Sequence, residues 1–154
     1  MAQILIVDDD DIIAELASDI LAGENHDCQW VVSGAEALAL LLVRRPDVVL
    51  LDNDMPGMSG TQVLRQMRDS PRDCELPVIM LTSVNRIQDE EAALFNGAQD
   101  YLRKPFEPRT LVQKVAHILD TRPYRPRHRE LDEVLQMGGG RFRRNGWPTP
   151  RSPI

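Results

Sequence analysis

The sequence has only two cysteines, Cys28 and Cys74, far apart and in no CxxC or Cys/His spacing. That excludes a disulfide framework and a cysteine-based zinc site, and it suits a reducing cytoplasm. Long apolar runs are missing as well, since nothing approaches the roughly 18 residues needed to cross a bilayer. The amino terminus, "MAQILIVDDDD", runs straight into acid and reads as neither signal peptide nor anchor. A soluble cytoplasmic protein without membrane contact is expected. Positive charge is also scarce: 18 Lys and Arg face 24 Asp and Glu, a net of −6. Such a balance argues against a surface built as a whole for nucleic acid or anionic lipid.

The charge that is there is unevenly placed. Residues 1–121 carry 10 basic and 21 acidic side chains, a net of −11, whereas residues 122–154 carry 8 Arg and 3 acids, a net of +5. One domain over 1–121 followed by a basic Pro/Arg/Gly-rich tail, 122–154, is therefore expected. The tail is too short for a folded output domain of its own and reads as a flexible extension. Within it Leu131, Val134 and Leu135 share one helical face and Gly138 offers a stop, which suggests a short helix over 129–137. A helix that short is marginal in water unless it docks on its own chain, a twin or a partner. The tail's arginines with Phe142 and Trp147 suggest a nucleic-acid contact, but the acidity of residues 1–121 opposes it, and nucleic acid is not expected as a partner.

Short β-branched runs recur through the first 120 residues: "ILIV" (4–7), "CQWVV" (28–32), "VVLL" (48–51), "VIML" (78–81) and "YL" (101–102). Apolar runs this brief, bounded by polar residues or Pro, read as strands buried on both faces. Between them apolar residues fall at helical spacing: Ile12, Ile13, Leu16, Ala17, Ile20 and Leu21, then Leu38, Leu41 and Leu42, then Val63, Leu64 and Met67. Ser33 with Glu36 and Ser59 with Gln62 have capping-box spacing, Gly97 suits a helix stop, and Pro108 suits the first turn of a last helix. Alternating strands and helices imply a doubly wound α/β domain with a parallel sheet, because right-handed crossovers put helices on both faces.

In such sheets a ligand sits beyond the carboxyl ends of the strands. The residues following the strands are Asp8 to Asp11, then Asp52, then Thr82 and Ser83, then Lys104 and Pro105. Each alone is an ordinary cap, turn or solvated residue; together they converge on one rim. Clustered carboxylates repel by about 4 kcal/mol per pair at 4 Å and an effective dielectric near 20, so a cation is wanted. Oxygen-only ligands favour Mg²⁺. With Lys104 and the Thr82 hydroxyl nearby, the set suits a site that accepts a phosphoryl group on Asp52.

Four motifs, "ILIVDD", "DVVLLDNDMPGMSG", "PVIMLTS" and "GAQDYLRKPF", occur in an order and spacing that resemble the response-regulator receiver domain of two-component signalling, from about Ala2 to Asp120. The resemblance implies a flavodoxin-like five-stranded parallel sheet in the order 2-1-3-4-5 with five helices. It implies Asp52 as phospho-acceptor, Asp9 as a direct Mg²⁺ ligand, Asp8 beside it, and Asp54 as the donor of a backbone carbonyl to the metal; the run of four aspartates leaves Asp10 as a further candidate. Thr82 would be the switch hydroxyl, Tyr101 the aromatic that moves with it, Lys104 the cation on the phosphate, and Lys104–Pro105 a cis peptide. Val84, two residues after Thr82, offers no hydrogen bond to an attacking water, which implies slow loss of the phosphoryl group. The implied donor is a histidine kinase or histidine phosphotransfer protein. The implied output is binding to a protein target, or self-association, through the last helical face and the tail. Two other readings compete: a pseudo-receiver that only binds, and a DxD phosphatase of haloacid-dehalogenase type built on Asp52 and Asp54. In the phosphatases the DxD closes the first strand, whereas here it follows a later one.

Overall fold

A computed structural model of the chain describes residues 1–83, 94 and 96–121. In chain order these form β1 (Gln3–Val7), α1 (Asp11–Ala22), β2 (Asp27–Val31), α2 (Gly34–Leu41), β3 (Val48–Asp52), α3 (Gly60–Asp69), β4 (Val78–Ser83), β5 (Asp100–Lys104) and α4 (Pro108–Thr121). All neighbouring strands pair in parallel, and the sheet order is β2-β1-β3-β4-β5. This is the doubly wound fold expected of the sequence. The fifth helix expected between β4 and β5, Val84, and the helix expected over 129–137 lie outside the described residues.

The central strands β1 and β3 are buried along their whole length. Their alternate side chains feed two separate cores, which is why they read as unbroken apolar runs. Leu5, Val7, Val49 and Leu51 pack with Ala37, Leu41, Val63, Leu64 and Met67 of α2 and α3. Ile4, Ile6, Val48 and Leu50 pack on the other face with Ala14, Ala17 and Leu21 of α1 and Leu111, Val115 and Ile118 of α4. At roughly 1.5–3 kcal/mol for each large apolar side chain removed from water, these two layers supply the main stabilisation.

The structure corrects three details. α1 buries Ala14, Ala17 and Leu21, whereas Ile12 and Leu16 of the same apolar stripe are 73% and 48% exposed; the stripe is wider than the face the sheet can cover. β2 spans Asp27–Val31 rather than 28–32. Its ladder stops because the Val32 N–H donates to the Glu36 carboxylate at 3.0 Å instead of to a strand. For the same reason the first capping box is only half formed: the Glu36 N–H donates to Ser33 Oγ, but the Glu36 side chain has gone one residue further back, to Val32. At Ser59 and Gln62 both halves are present.

Candidate phospho-acceptor site

The run of four aspartates resolves into four separate roles. Asp8, at the end of β1, is fully buried, and its Oδ1 accepts the Asp10 N–H at 3.0 Å. Asp9 is exposed beside it. Asp10 caps α1, its Oδ1 accepting the N–H groups of Ile12 and Ile13, so its carboxylate is committed to the helix and the sequence-level ambiguity about it falls away. Asp11 lies in the first helical turn, where the dipole favours an anion.

Asp52 closes β3, the middle strand of the sheet, and is 3% exposed. Carboxylate oxygens of Asp8, Asp9 and Asp52 lie within 4.8 Å of one another. Lys104, at the end of β5, sets its Nζ 2.7 Å from Asp8 Oδ2 and 3.2 Å from Asp52 Oδ1. Burial first, and the charge of Asp8 second, push the Asp52 carboxyl up to about 7, against the opposing pull of Lys104 and the Asp54 N–H. Burial alone would lower the Lys104 ammonium, but its hydrogen bond to Asp8 and the charges of Asp52 and Asp8 outweigh that and hold it above its ordinary value.

Asp54 takes part through its backbone: its N–H donates to Asp52 Oδ1 at 3.3 Å, while its side chain is exposed. Thr82 follows Leu81, the register partner of Asp52, and its buried Oγ1 has no hydrogen-bond partner among the described residues. A buried hydroxyl with spare capacity beside an acceptor carboxylate suits an incoming phosphoryl oxygen. Tyr101 is half-buried against the α2/α3 core, and Lys114 Nζ lies 5.5 Å from its ring centroid while paired with Asp100 at 3.1 Å. The Lys104–Pro105 bond is cis.

Three features of the site were not anticipated from sequence. Thr61 Oγ1 donates to Asn53 Oδ1 at 2.8 Å, tying the start of α3 to the residue after Asp52. The Arg68 guanidinium spans three segments, donating to the carbonyls of Gly97 and Asp73 and to Gln99 Oε1 at 2.9, 3.1 and 3.1 Å. Gly60 approaches the acceptor strand so closely that a Cβ would fall onto the Asp52 carbonyl oxygen and lie 2.8 Å from Asn53 Cα. Glycine opening a helix, where alanine is the better helix former, was the one available signal. Gly60→Ala should therefore cost about 1–3 kcal/mol, the range for overpacking, and push the Asp52 backbone out of place. Thermal melting should fall, and phosphoryl acceptance should fall more than stability does; a variant as stable as wild type would show that the loop yields freely.

The family model for the response regulator receiver domain matches residues 4–116. The chain belongs to the response-regulator receiver family. Receivers of this family are phosphorylation-activated switches of two-component systems. Among curated relatives, the chain is 42% identical over 136 residues to the DNA-binding response regulator MtrA of Mycolicibacterium smegmatis, covering 88% of this chain and 56% of that protein. It is 35% identical over 138 residues to the DNA-binding dual master transcriptional regulator RpaA of Synechocystis sp., covering 90% and 57%. The chain thus spans a little over half the length of these relatives. Solved receivers superpose closely: the chemotaxis response regulator CheY4 of Vibrio cholerae at a TM-score of 0.73 and 31% identity, covering 77% of this chain and 99% of that one, and the receiver domain of NtrX from Brucella abortus at 0.73 and 32%, covering 77% and 98%.

Proposed function

We propose that this receiver takes a phosphoryl group onto Asp52 from a phosphohistidine of a histidine kinase or phosphotransfer protein. One observation carries the reading: a buried carboxylate at the end of the central strand, held at 3.2 Å by a lysine and crowded by two further aspartates. An Asp52 oxygen attacks phosphorus, the P–N bond of the donor breaks, and its electron pair stays on the imidazole nitrogen, which takes up a proton. The cluster fits a hard divalent cation, because three carboxylates within 4.8 Å carry more negative charge than one lysine offsets. Mg²⁺, held by Asp8, Asp9, Asp52 and the Asp54 backbone carbonyl, would neutralise charge shared between carboxylate and phosphoryl oxygens. Lys104 then contacts a phosphoryl oxygen, the Thr82 hydroxyl donates to another, and Tyr101 follows Thr82, altering the surface offered to a protein target or second copy.

The test is exposure to Mg²⁺ and acetyl phosphate, read by intact mass. One added phosphoryl group, removed by hydroxylamine, is expected. No adduct would favour a module that only binds. Sustained hydrolysis of phosphate esters would favour the phosphatase reading.

The apolar stripe left uncovered on α1 bears on the donor. Ile12 and Leu16 stand exposed on the helix that begins beside Asp8 and Asp9, and an exposed apolar face next to a reacting centre suits a helix of the phosphodonor. Ile12→Asp with Leu16→Asp should slow transfer from a phosphorylated histidine protein at least tenfold, while acetyl phosphate should label the variant at the wild-type rate. Equal loss with both donors would sink this docking face.

The reading extends to location and tail. No helix among the described residues is long and apolar enough to cross a membrane, and a cytoplasmic protein is consistent with that. Residues 122–154 are dispensable for phosphoryl acceptance, because every proposed site residue precedes them. The expectation that nucleic acid is no partner rests on the acidity of residues 1–121 alone; MtrA and RpaA are named as DNA-binding and their similarity runs into the tail, so DNA is kept as a target class.

A further inference from the structure

β2 is one edge of the sheet, and its outer side is bordered by apolar surface that the fold does not use. In a parallel ladder alternate residues face the partner strand. The Asp27 N–H donates to Ala2 and the Val31 carbonyl accepts from Asp8, both toward β1, so Cys28 and Trp30 turn their backbone groups to the open side. Trp30, Val31, Val32, Ala39, Leu40 and Val43 line a groove of about 590 Å³ there, together with Glu36. Trp30, Val32 and Val43 are 37%, 39% and 45% exposed, and Leu42 beside them is 72% exposed.

We propose that residues 131–137 of this chain dock into that groove, with Leu131, Val134 and Leu135 as anchors. The spacing i, i+3, i+4 is that of a helix laid in an apolar groove, and covering an open edge with a helix is one way native proteins protect it from pairing with another chain. Net charge favours this occupant: residues 127–144 carry five Arg against three acids, a net of +2. Acid stands at both ends of β2, with exposed Glu24 ahead of it and exposed Glu36 after it. The segment carries Asp132 and Glu133 between its apolar anchors, with Glu130 just before it, and base flanks it on either side, Arg127 and Arg129 before and Arg141, Arg143 and Arg144 after. The whole tail has a net of +5 against −11 for residues 1–121. A second copy of the same face would set Glu36 against Glu36 and join two acidic bodies. Reach is sufficient, because the ten residues from Thr121 to Leu131 span up to about 33 Å when extended, close to the width of a domain of this size.

The experiment uses the full chain carrying Trp147→Phe, which leaves Trp30 as the sole tryptophan. Docking predicts slow acrylamide quenching of Trp30 and a blue-shifted emission. Adding Leu131→Asp and Leu135→Asp should raise the quenching constant several-fold and red-shift the emission without lowering the melting temperature of the domain. A synthetic peptide of residues 127–144 should reverse both changes. Unchanged quenching in the double variant would overturn the proposal. Protection that appears only as concentration rises, with the chain sedimenting as a dimer, would overturn docking within one chain and assign the groove to a neighbour's tail.

Discussion

Asp52→Asn is expected to abolish phosphoryl acceptance from acetyl phosphate and from a phosphohistidine donor alike, down to the level of a protein-free blank, while making the fold more stable in EDTA at neutral pH. The loss follows from chemistry, since an amide oxygen cannot form the acyl phosphate. The gain follows from position. Asp52 is buried within 4.8 Å of Asp8 and Asp9, where each like-charge pair costs about 3.5 kcal/mol at an effective dielectric near 20, and the neutral amide keeps the shape without the charge. The pH dependence has a definite sign. Burial and the Asp8 charge raise the carboxyl to about 7 in the folded protein, against about 3.9 in an unfolded chain. Its contribution is therefore fully present below about pH 4 and is lost as pH rises toward 7, because the unfolded state ionises first. Wild type and Asp52→Asn should melt at similar temperatures near pH 4.5 and diverge by pH 7.5, with the variant higher. A constant gap across that range would mean that Asp52 is not the group that titrates. Undiminished labelling of the variant would move the nucleophile elsewhere.

The second large effect concerns the cation. Chelation should reduce phosphoryl acceptance to the blank, and saturating Mg²⁺ should stabilise the protein. At a hundred times its dissociation constant a ligand that binds only the folded state contributes about 2.7 kcal/mol, which for a domain of this size is roughly 10 °C in melting temperature. Asp9→Asn separates the metal from the rest of the site. Asp9 is exposed, whereas Asp8 is buried and lies 2.7 Å from the Lys104 ammonium. Removing the Asp9 charge should leave the melting temperature in EDTA nearly unchanged, yet raise the Mg²⁺ concentration needed for half-maximal labelling at least tenfold. Asp8→Asn should do both kinds of damage, because it also strips the lysine of its shorter contact. A Mg²⁺-induced rise in melting temperature that survives Asp9→Asn intact would exclude Asp9 as a ligand.

The parts of this molecule that could be read in advance are those governed by local pattern. "ILIV" and "VVLL" announced strands covered on both faces, and the sheet order follows the family resemblance. The polar residues at strand ends were legible because one rule about parallel sheets sends them to the same rim. What escaped was decided across the chain. Nothing near Arg68 in sequence says that it will bridge Asp73, Gly97 and Gln99, since two of those acceptors are about 30 residues away. Ile12 and Leu16 have the spacing of buried residues, but the width of the sheet beneath α1 decides which of them it covers. Glu36 had the right spacing for a reciprocal cap, and an N–H at the end of β2 drew its carboxylate away. The aspartate run was legible as a site but not as a division of labour, because capping and cluster geometry are fixed by where the helix begins relative to the strand.

The Arg68 clamp sets a mechanical boundary condition. Its guanidinium holds the carbonyl of Gly97, where the chain returns from β4 to begin β5, and at the same time the carbonyl of Asp73 and the side chain of Gln99. The start of β5 is thus fastened to α3 through a single side chain, so the stiffness of that fastening is set by one arginine.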